Sequence, residues 1–402
     1  MNKEIINLGL ETYRWYGPNI GGVEKTALML ANNLANNGHN ISIFTEKNDK
    51  NFNGNQSIIE AKEGDLKKIS VYYHQNMDEV VGNIERQIQE GKIDIVEIEG
   101  FFGIKEDISL MKRILNLKAP LVWVSHNVSL LNKRHRYDEP GFVFSKAFTD
   151  KVDAFVCVSS LLGQHAREFG FPNEKIKVIY NPINTEIFHS VSSSEKTNIR
   201  NKLGLPLDKK IILYNGRVAL DKGSDFLMRA WQEASCDLQD HHLVIVGDVS
   251  KGDESMAELF AKFKASSGGN VTFSDGFIRD EQTIANYYQA ADIFLLPSPS
   301  EGMSGSMIEA MACELPCVVS EKARAESGSG ELLDDGYNGT TFKELTPNSF
   351  VAAIKEVKNS MGRASLFKFK SMGFEIQDSF KKRVDLYSEL VHGKPYSVAM
   401  VA

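Results

Sequence analysis

The sequence predicts an α/β protein made of two doubly wound, Rossmann-like domains that face each other across a cleft. Short apolar runs rich in Val and Ile are typical of strands that are buried on both faces of a parallel sheet. Longer amphipathic segments separate these runs, as in repeated βαβ units. Two such series flank the polar, Ser-rich stretch 189–198, which we interpret as a linker. A chain of 402 residues is long enough for two domains of this kind.

The predicted strands form two series along the chain. The first series contains strands at 4–10, 40–46, 94–99, 120–127, 152–160 and 175–181. The second contains strands at 209–216, 241–248, 270–277, 291–298 and 316–321. Ligands of doubly wound sheets bind beyond the carboxyl ends of the strands, so we expect functional residues in the loops that follow them. An amphipathic helix is predicted at 375–391.

Composition excludes several classes of protein. The chain has 46 Lys and Arg against 53 Asp and Glu, and a net charge of −7 argues against a nucleic-acid or general polyanion binder. Its four cysteines are too few and too scattered for a disulfide framework or a zinc site, and we expect them to be buried. Apolar runs are too short for a signal peptide or a membrane span. We therefore expect a cytoplasmic protein, with peripheral contact to the inner face of the membrane left open.

The first loop with a candidate function contains Gly21 and Gly22. These glycines precede an amphipathic helix that is predicted to stop at Gly38. Free N–H groups at a helix N-terminus attract phosphate, and the absence of Cβ atoms lets a phosphate approach the backbone. The alternative is a plain loop that needs positive φ. The pattern is not G-x-G-x-x-G, so it gives little support to a nicotinamide cofactor.

Arg217 and Lys222 lie in the loop after the first strand of the second series. A helix is predicted to begin near Ser224 or Asp225. Two cations beside a helix N-terminus oppose the helix dipole, which indicates an anion between them. Arg can bind a phosphate in a bidentate manner, and Lys adds a point charge. The alternative is a solvated loop in which the cations pair with neighbouring aspartates.

Two glutamates follow the strand at 291–298. Glu301 lies in a Gly- and Ser-rich loop, and Glu309 lies one turn into a helix predicted from about Gly305 to Leu315. Carboxylates accept hydrogen bonds from pairs of sugar hydroxyls. The N–H groups of Ser304 and Gly305 are expected to be free for a phosphate. The alternative is a helix cap followed by a surface glutamate.

Glu301 and Glu309 are separated by seven residues, and the chain resembles the retaining nucleotide-sugar glycosyltransferases of the GT-B fold with an E-x7-E motif, of the family 4 type. The resemblance extends over nearly the whole chain. It includes GGVE (21–24), the segment 157–188, NGRVALDKG (215–223) and ELLDDGYNG (331–339). In this fold the C-terminal helix returns to the first domain. The resemblance thus implies an acceptor-side domain at 1–185, joined by 375–402, and a donor-binding domain at 186–374.

The resemblance also implies roles for individual residues. Arg217 and Lys222 correspond to the cations that hold the donor diphosphate, with Gly21 and Gly22 closing on the same phosphates. Glu301 would contact the transferred sugar and Glu309 the ribose. Further donor-side positions are Gly247 on the cleft floor, Phe277 and Ile278 at the nucleobase, and the loop residues Met303, Ser304 and Gly305. Met303 and Ser304 stand where the family often has Phe and Gly, in the region that would surround the sugar.

His126 ends the strand at 120–127. A lone His at a strand end is commonly a hydrogen-bonded structural residue. The resemblance implies instead that His126 faces the donor sugar, either through a hydrogen bond to a hydroxyl or by holding the backbone near the anomeric carbon.

These observations predict a retaining transfer of a hexose from a UDP- or GDP-sugar to a glycan, lipid-linked or glycoconjugate acceptor. No cofactor and no metal are expected, because no suitable loop carries an Asp-x-Asp motif. The leaving phosphate would assist same-face attack, because we find no carboxylate nucleophile in the first domain. The basic loop 130–142 fits an anionic acceptor, an anionic membrane or plain solvation. A nucleotide-sugar 2-epimerase and an inactive sugar-nucleotide-binding subunit are the alternatives.

Overall fold

The computed structural model describes residues 5–12, 22–46, 69–99, 108–126, 146–234, 236–250 and 252–393. The chain divides into two units, one of residues 1–181 and 377–402 and the other of residues 182–376. Each unit is an α/β domain with its own parallel sheet. The prediction of two α/β domains, each with a parallel sheet, is confirmed.

The first unit contains a seven-stranded parallel sheet. Its strands are β1 (Asn7–Thr12), β2 (Asn40–Glu46), β3 (Ile69–His74), β4 (Ile95–Glu99), β5 (Leu121–Ser125), β6 (Ala154–Cys157) and β7 (Ile176–Val178). They lie in the order β3-β2-β1-β4-β5-β6-β7. The helices between them are α1 (Gly22–Asn36), α2 (Met77–Gln89), α3 (Ile108–Leu115), α4 (Lys146–Lys151) and α5 (Ser160–Phe169). Strand order reverses direction between β1 and β4, which is the switch point of a doubly wound sheet.

The second unit contains a six-stranded parallel sheet. Its strands are β8 (Lys210–Asn215), β9 (His241–Val246), β10 (Val271–Phe273), β11 (Ile293–Leu296), β12 (Cys317–Ser320) and β13 (Gly339–Phe342). The order is β10-β9-β8-β11-β12-β13, so the switch point lies between β8 and β11. The helices are α6 (Ser193–Leu203), α7 (Ser224–Ala234), α8 (Glu254–Ser266), α9 (Glu281–Ala290), α10 (Gly305–Ala312), α11 (Glu321–Glu326), α12 (Pro347–Lys355) and α13 (Ser360–Met372).

The strands at the centre of each sheet account for the apolar runs in the sequence. Every residue of β4, β5, β6, β9, β11 and β12 is buried. Removing this apolar surface from water on both faces of the sheet is the main favourable contribution to folding.

Two strands, β3 and β13, are absent from the sequence prediction. Both lie at the edge of their sheet. β3 is only half-buried along most of its length, and β13 reads Gly-Thr-Thr-Phe, without a run of Val or Ile. The runs of Val and Ile that identified the other strands are therefore missing from these two strands.

The prediction of a linker at 189–198 is wrong. Helix α6 begins at Ser193, and Ser192 and Glu195 form a reciprocal capping box at its start. Lys196 and Arg200 of α6 both bind Asp292, at 2.6 Å each, at the entrance to β11. The Ser-rich segment is thus a helix start within the second unit.

The C-terminal helix α14 (Ile376–His392) belongs to the first unit from Gln377 onward. Its predicted apolar face is buried at Phe380, Val384 and Tyr387. The same face also buries Arg383, which the amphipathic pattern did not predict. Burial of a guanidinium requires partners for it inside the first unit.

Two further expectations concern membranes and cysteines. No helix in the described ranges has both the length and the apolar character needed to cross a bilayer. Cys157, Cys313 and Cys317 are buried as expected, whereas Cys236 is exposed.

Candidate functional site

The candidate residues of the second unit lie at the carboxyl edge of its sheet. They follow four adjacent strands, β10, β9, β8 and β11, which include both strands of the switch point. Their positions are Phe277 and Ile278 after β10, Gly247 after β9, Arg217 and Lys222 after β8, and Glu301 through Glu309 after β11. In an open α/β sheet this edge is where ligands bind.

Lys222 and Glu301 form an ion pair across the switch point. The Lys222 ammonium lies 2.8 and 2.9 Å from the two carboxylate oxygens of Glu301. The Lys222 side chain is 26% exposed and the Glu301 side chain is 13% exposed, so the pair is largely shielded from water. The structure therefore brings together two predicted site residues that are 79 positions apart in sequence.

Arg217 has a fixed backbone and an exposed side chain. Its carbonyl oxygen accepts a hydrogen bond of 2.6 Å from the Tyr214 hydroxyl, which also lies 3.0 Å from Ser224 Oγ. Its guanidinium pairs with Asp221 at 2.7 Å, and the Arg217 side chain is 44% exposed. Such an exposed pair stabilises little, so an incoming anion can compete for the guanidinium.

Glu309 is buried rather than on the surface, so the alternative of a surface glutamate is wrong. The Tyr288 hydroxyl donates a hydrogen bond of 2.8 Å to its carboxylate. Asn215, the last residue of β8, in turn donates to the Tyr288 oxygen at 2.8 Å. Burial and the adjacent Glu309 carboxylate raise the pKa of Tyr288 well above its ordinary value, so its hydroxyl keeps the proton that it donates.

Replacing Tyr288 with Phe tests this connection. Tyr288→Phe removes one donor to buried Glu309 and the acceptor for part-buried Asn215, and losing hydrogen bonds to buried polar groups costs about 1–3 kcal/mol each. We expect the free energy of unfolding in urea to fall by about 2 kcal/mol. Tyr287→Phe, one residue earlier in α9, is the matched control because that side chain is half-buried. Equal stability of the two variants would contradict the assigned hydrogen bonds.

The Glu301 loop is held by hydrogen bonds from the end of β12 and from the segment that follows it. Ser320 Oγ donates to the Ser298 carbonyl at 2.7 Å, and the Gly328 N–H donates to the Glu301 carbonyl at 3.2 Å. The Ser304 N–H donates to Ser329 Oγ at 3.1 Å. The expectation that this N–H is free for a phosphate is therefore wrong. The Ser304 hydroxyl instead caps α10 by accepting a hydrogen bond from the Met307 N–H, and Met303 is buried.

Helix α10 starts at Gly305 as predicted but ends at Ala312 rather than Leu315. Gly305 is exposed at the first turn of this helix. An exposed first turn is compatible with the predicted anion contact, which stays a prediction.

Gly247 holds two loops close together. Its φ is +138°, and a Cβ there would lie 2.0 Å from the Gly216 carbonyl oxygen. Its N–H donates to Ser274 Oγ at 3.0 Å, which ties the loop after β9 to the loop after β10. Phe277 and Ile278 follow in that loop and are half-buried. The loops after β8, β9 and β10 thus form one connected surface.

In the first unit the glycine loop is described only in part. Gly22 is the first residue of α1, as predicted for a helix N-terminus. Gly21 and the basic loop 130–142 lie outside the described residues. The phosphate and acceptor roles assigned to these segments stay predictions.

His126 turns its ring toward a buried carboxylate. Its Nε2 lies 2.5 Å from Glu99 Oε2, and the two side chains are 5% and 0% exposed. Glu97, two residues before Glu99 on β4, accepts hydrogen bonds from Arg383 and from the Tyr387 hydroxyl of α14, the latter at 2.7 Å. The His126 side chain is therefore part of a buried polar cluster that links β4, the end of β5 and α14.

The two carboxyl groups of this cluster differ in acidity. Burial raises the pKa of Glu97 to about 8, with the negative charge of Glu99 adding to the effect and Arg383 opposing it. Burial also opposes ionisation of Glu99, but the His126 ring brings the pKa of Glu99 below its ordinary value. The shifts thus favour the protonated form of Glu97 and the carboxylate form of Glu99.

This difference predicts how stability depends on pH. Between about pH 4.5 and 8, native Glu97 keeps a proton that the unfolded chain has released, so its contribution to stability falls as pH rises, by at most about 1.4 kcal/mol per pH unit. Glu97→Gln removes this contribution and should flatten the dependence. Urea midpoints from pH 5 to 8 measure it. Equal slopes for wild type and Glu97→Gln would contradict a protonated Glu97.

Sequence reasoning missed Tyr288, Glu97 and Glu99. Tyr288 had no signal that distinguishes it from Tyr287. Glu97 and Glu99 did have one, because two acids occupy alternate positions of an otherwise apolar, fully buried strand. Within the described ranges, no three His, Cys, Asp or Glu side chains are grouped as metal ligands.

Two family models of glycosyltransferases match this chain, one in each half of the sequence. The family model described as Glycosyltransferase Family 4 matches residues 20–187, and the model Glycosyl transferases group 1 matches residues 209–359. An uncharacterized glycosyltransferase of Methanocaldococcus jannaschii is 32% identical over 48% of this chain and 47% of its own length. One of Haemophilus influenzae is 25% identical over 85% of this chain and 87% of its own length. The first of these matches thus spans about half of the relative.

Comparison with solved structures concerns the fold. The Anabaena HepE protein in complex with UDP and glucose superposes with a TM-score of 0.70, covering 96% of this chain and 100% of that one at 17% identity. At this identity the likeness shows the architecture alone, which is that of the GT-B glycosyltransferases.

Proposed function

We propose that this chain, which has the GT-B fold and matches two glycosyltransferase family models, transfers a hexose with retention from a UDP- or GDP-sugar to a glycan, lipid-linked or glycoconjugate acceptor. The observation that carries the proposal is the Lys222–Glu301 pair at the switch point of the second sheet. The pair places the Lys222 ammonium, which can bind a phosphate, beside the Glu301 carboxylate, which can accept hydrogen bonds from sugar hydroxyls. Arg217 and Glu309 lie at the same edge of the sheet. Arg217 follows β8, and Asn215 at the end of β8 is connected to Glu309 through the Tyr288 hydroxyl.

Donor binding is proposed to rearrange the cations. The diphosphate displaces Glu301 from Lys222 and Asp221 from Arg217, and each cation then faces a phosphate. The Glu301 carboxylate then accepts hydrogen bonds from hydroxyls of the hexose, and the Glu309 carboxylate accepts hydrogen bonds from hydroxyls of the ribose. Because Glu301 is already largely shielded from water, a sugar that hydrogen-bonds it replaces few water contacts.

Catalysis then follows from the charges that develop. Breaking the bond between the sugar and the phosphate places negative charge on the leaving diphosphate. Arg217 and Lys222 stabilise that charge from a loop whose backbone is held by the hydroxyls of Tyr214 and Ser224. We propose that this charge compensation requires no metal ion, and that a leaving phosphate oxygen accepts the proton of the attacking hydroxyl.

A donor screen followed by product analysis tests the proposal. Thermal unfolding is measured with UDP, GDP and ADP and with UDP-glucose, GDP-mannose and ADP-glucose, in the presence of EDTA. We expect either the UDP or the GDP series to stabilise the protein, and stabilisation by the ADP series alone would contradict the proposed donor. The three sugar nucleotides are α-linked, so proton NMR of the sugar at the moment of release or transfer should show the α-anomer. With a donor of another linkage, the product should keep the anomeric configuration of that donor. Stabilisation by none of the six compounds would contradict the proposal, and donor conversion without sugar release would indicate an epimerase.

A further inference from the structure

The two cations of the proposed diphosphate site are each bound to a carboxylate of the same chain. Lys222 pairs with Glu301 at 2.8 Å, and Arg217 pairs with Asp221 at 2.7 Å. Glu301 has a role in the proposed function, because its carboxylate can bind sugar hydroxyls. Asp221 has no such role, since a carboxylate that occupies the Arg217 guanidinium opposes the binding of an anion there. Its presence between the two cations therefore needs an explanation of its own.

The Arg217–Asp221 pair is the more exposed of the two. The side chains of Arg217 and Asp221 are 44% and 60% exposed, against 26% and 13% for Lys222 and Glu301. Asp221 lies in the short 3-10 helix Leu220–Lys222, four residues after Arg217. Because an exposed pair at this spacing stabilises little, the carboxylate can release the guanidinium and bind it again without rearranging any buried group.

The Asp221 carboxylate remains near the site when Arg217 turns to a ligand. Asp221 is the residue directly before Lys222. Burial raises the pKa of the Tyr214 hydroxyl, and three side-chain charges act on this group, those of Glu301, Arg217 and Asp221. The same hydroxyl lies 2.6 Å from the Arg217 carbonyl oxygen. A diphosphate held by the two cations would therefore have a fixed negative charge nearby.

The donor and the product of the proposed reaction differ in charge. In a nucleotide sugar, each phosphate of the diphosphate carries one ionised oxygen. Loss of the sugar frees a further oxygen on the terminal phosphate, and such an oxygen ionises with a pKa of about 6. At about pH 7.5 the nucleoside diphosphate thus carries nearly one more negative charge than the donor. A fixed carboxylate repels the product more strongly than the donor.

We propose that Asp221 is a specificity-determining residue that favours the nucleotide sugar over the nucleoside diphosphate, because its carboxylate repels the additional charge of the product and binds the Arg217 guanidinium again as the product leaves. The proposal rests on the proposed function, in which Arg217 and Lys222 hold the diphosphate. Two cations without this carboxylate would hold the more highly charged product too tightly, and release of product limits the turnover of many enzymes.

Asp221→Asn tests the proposal, since it keeps the shape of the side chain and removes its charge. Kd values for UDP and UDP-glucose, and for GDP and GDP-mannose, are measured by isothermal titration calorimetry in the presence of EDTA. In the series that binds, we expect both Kd values to fall, because Arg217 no longer has to leave a partner. The Kd of the nucleoside diphosphate should fall about three times further than that of the nucleotide sugar. Damage to the fold would weaken binding rather than tighten it.

Asp225→Asn is the matched control. Asp225 is the second residue of α7 and pairs with Arg229 at 3.5 Å, in the same i, i+4 arrangement as Arg217 and Asp221. The substitution makes the same change of charge four residues further along the chain. Because Arg229 is not part of the proposed site, the ratio of the two Kd values should stay that of the wild type.

The outcomes separate this proposal from the proposed function. If the wild type binds a donor and Asp221→Asn leaves the ratio of the two Kd values unchanged, or weakens binding, the role of Asp221 is overturned and the proposed function stands. A ratio that Asp225→Asn changes to the same extent shows a general effect of net charge and also overturns that role. A wild type that binds none of the four compounds overturns the proposed function and this proposal with it.

Discussion

Lys222→Ala is expected to abolish the stabilisation of this protein by its nucleotide-sugar donor. The ammonium group of Lys222 is the cation held at the switch point, 2.8 Å from Glu301. Without it the diphosphate loses one of its two counter-charges and meets an uncompensated Glu301 carboxylate. A ligand at a hundred times its Kd stabilises by about 2.7 kcal/mol, and we expect essentially all of this to be lost. Thermal unfolding with and without the donor measures it.

Lys368→Ala is the control for that substitution. Lys368 forms an ion pair with both carboxylate oxygens of Asp334, at 2.9 and 3.0 Å, in the same unit. Its side chain is 23% exposed, close to the 26% of Lys222. Lys368→Ala should keep the full stabilisation by donor. If Lys222→Ala keeps it as well, the diphosphate does not bind at Lys222.

Gly223→Ala is expected to disrupt both folding stability and donor binding. Gly223 has φ +68°, a left-handed conformation, and a Cβ there would lie 2.3 Å from the Pro297 carbonyl oxygen. Because that oxygen belongs to the backbone, one of the two loops must move, and those loops carry Lys222 and Glu301. We expect a loss of about 2–4 kcal/mol in unfolding free energy, at the upper end of common single substitutions. Donor affinity should fall in the folded fraction.

Gly204→Ala separates the backbone effect from the collision. Gly204 has φ +65° at the end of α6, and nothing lies within 4 Å of the position of its Cβ. We expect Gly204→Ala to lower the free energy of unfolding by about 1 kcal/mol, because alanine is unfavourable in the left-handed conformation but meets no neighbouring atom there. Equal losses at the two glycines, measured by urea unfolding, would show that the β8 and β11 loops are not packed as closely as described.

The sequence is informative about those parts of the fold that follow from local chemistry. Consecutive Val and Ile residues identified the central strands, and glycines next to helical periodicity identified the start of α1. The edge strands β3 and β13 lack that pattern, because their stability depends on a neighbouring strand more than on their own residues. The Ser-rich start of α6 was mistaken for a linker, because a capping box has the same composition as a flexible segment.

Some features of the candidate site can also be predicted from local sequence, and others depend on the order of the strands. Arg217, Lys222 and Glu301 stand out in sequence because they are charged residues in loops after strands. The ion pair between Lys222 and Glu301 cannot be read from the sequence, because it depends on β11 lying beside β8 in the sheet. The hydrogen bond of the Ser304 N–H to Ser329 has the same origin, since a segment after β12 must fold back on the loop after β11.

The central claim is that the carboxyl edge of the second sheet binds the diphosphate of a nucleotide sugar. A crystal structure of the protein with the nucleoside diphosphate that stabilises it most tests this claim. We expect phosphate oxygens within hydrogen-bond distance of the Arg217 guanidinium and the Lys222 ammonium, and the ribose hydroxyls at Glu309. A diphosphate bound elsewhere, with the Lys222–Glu301 pair intact beside it, would contradict the account.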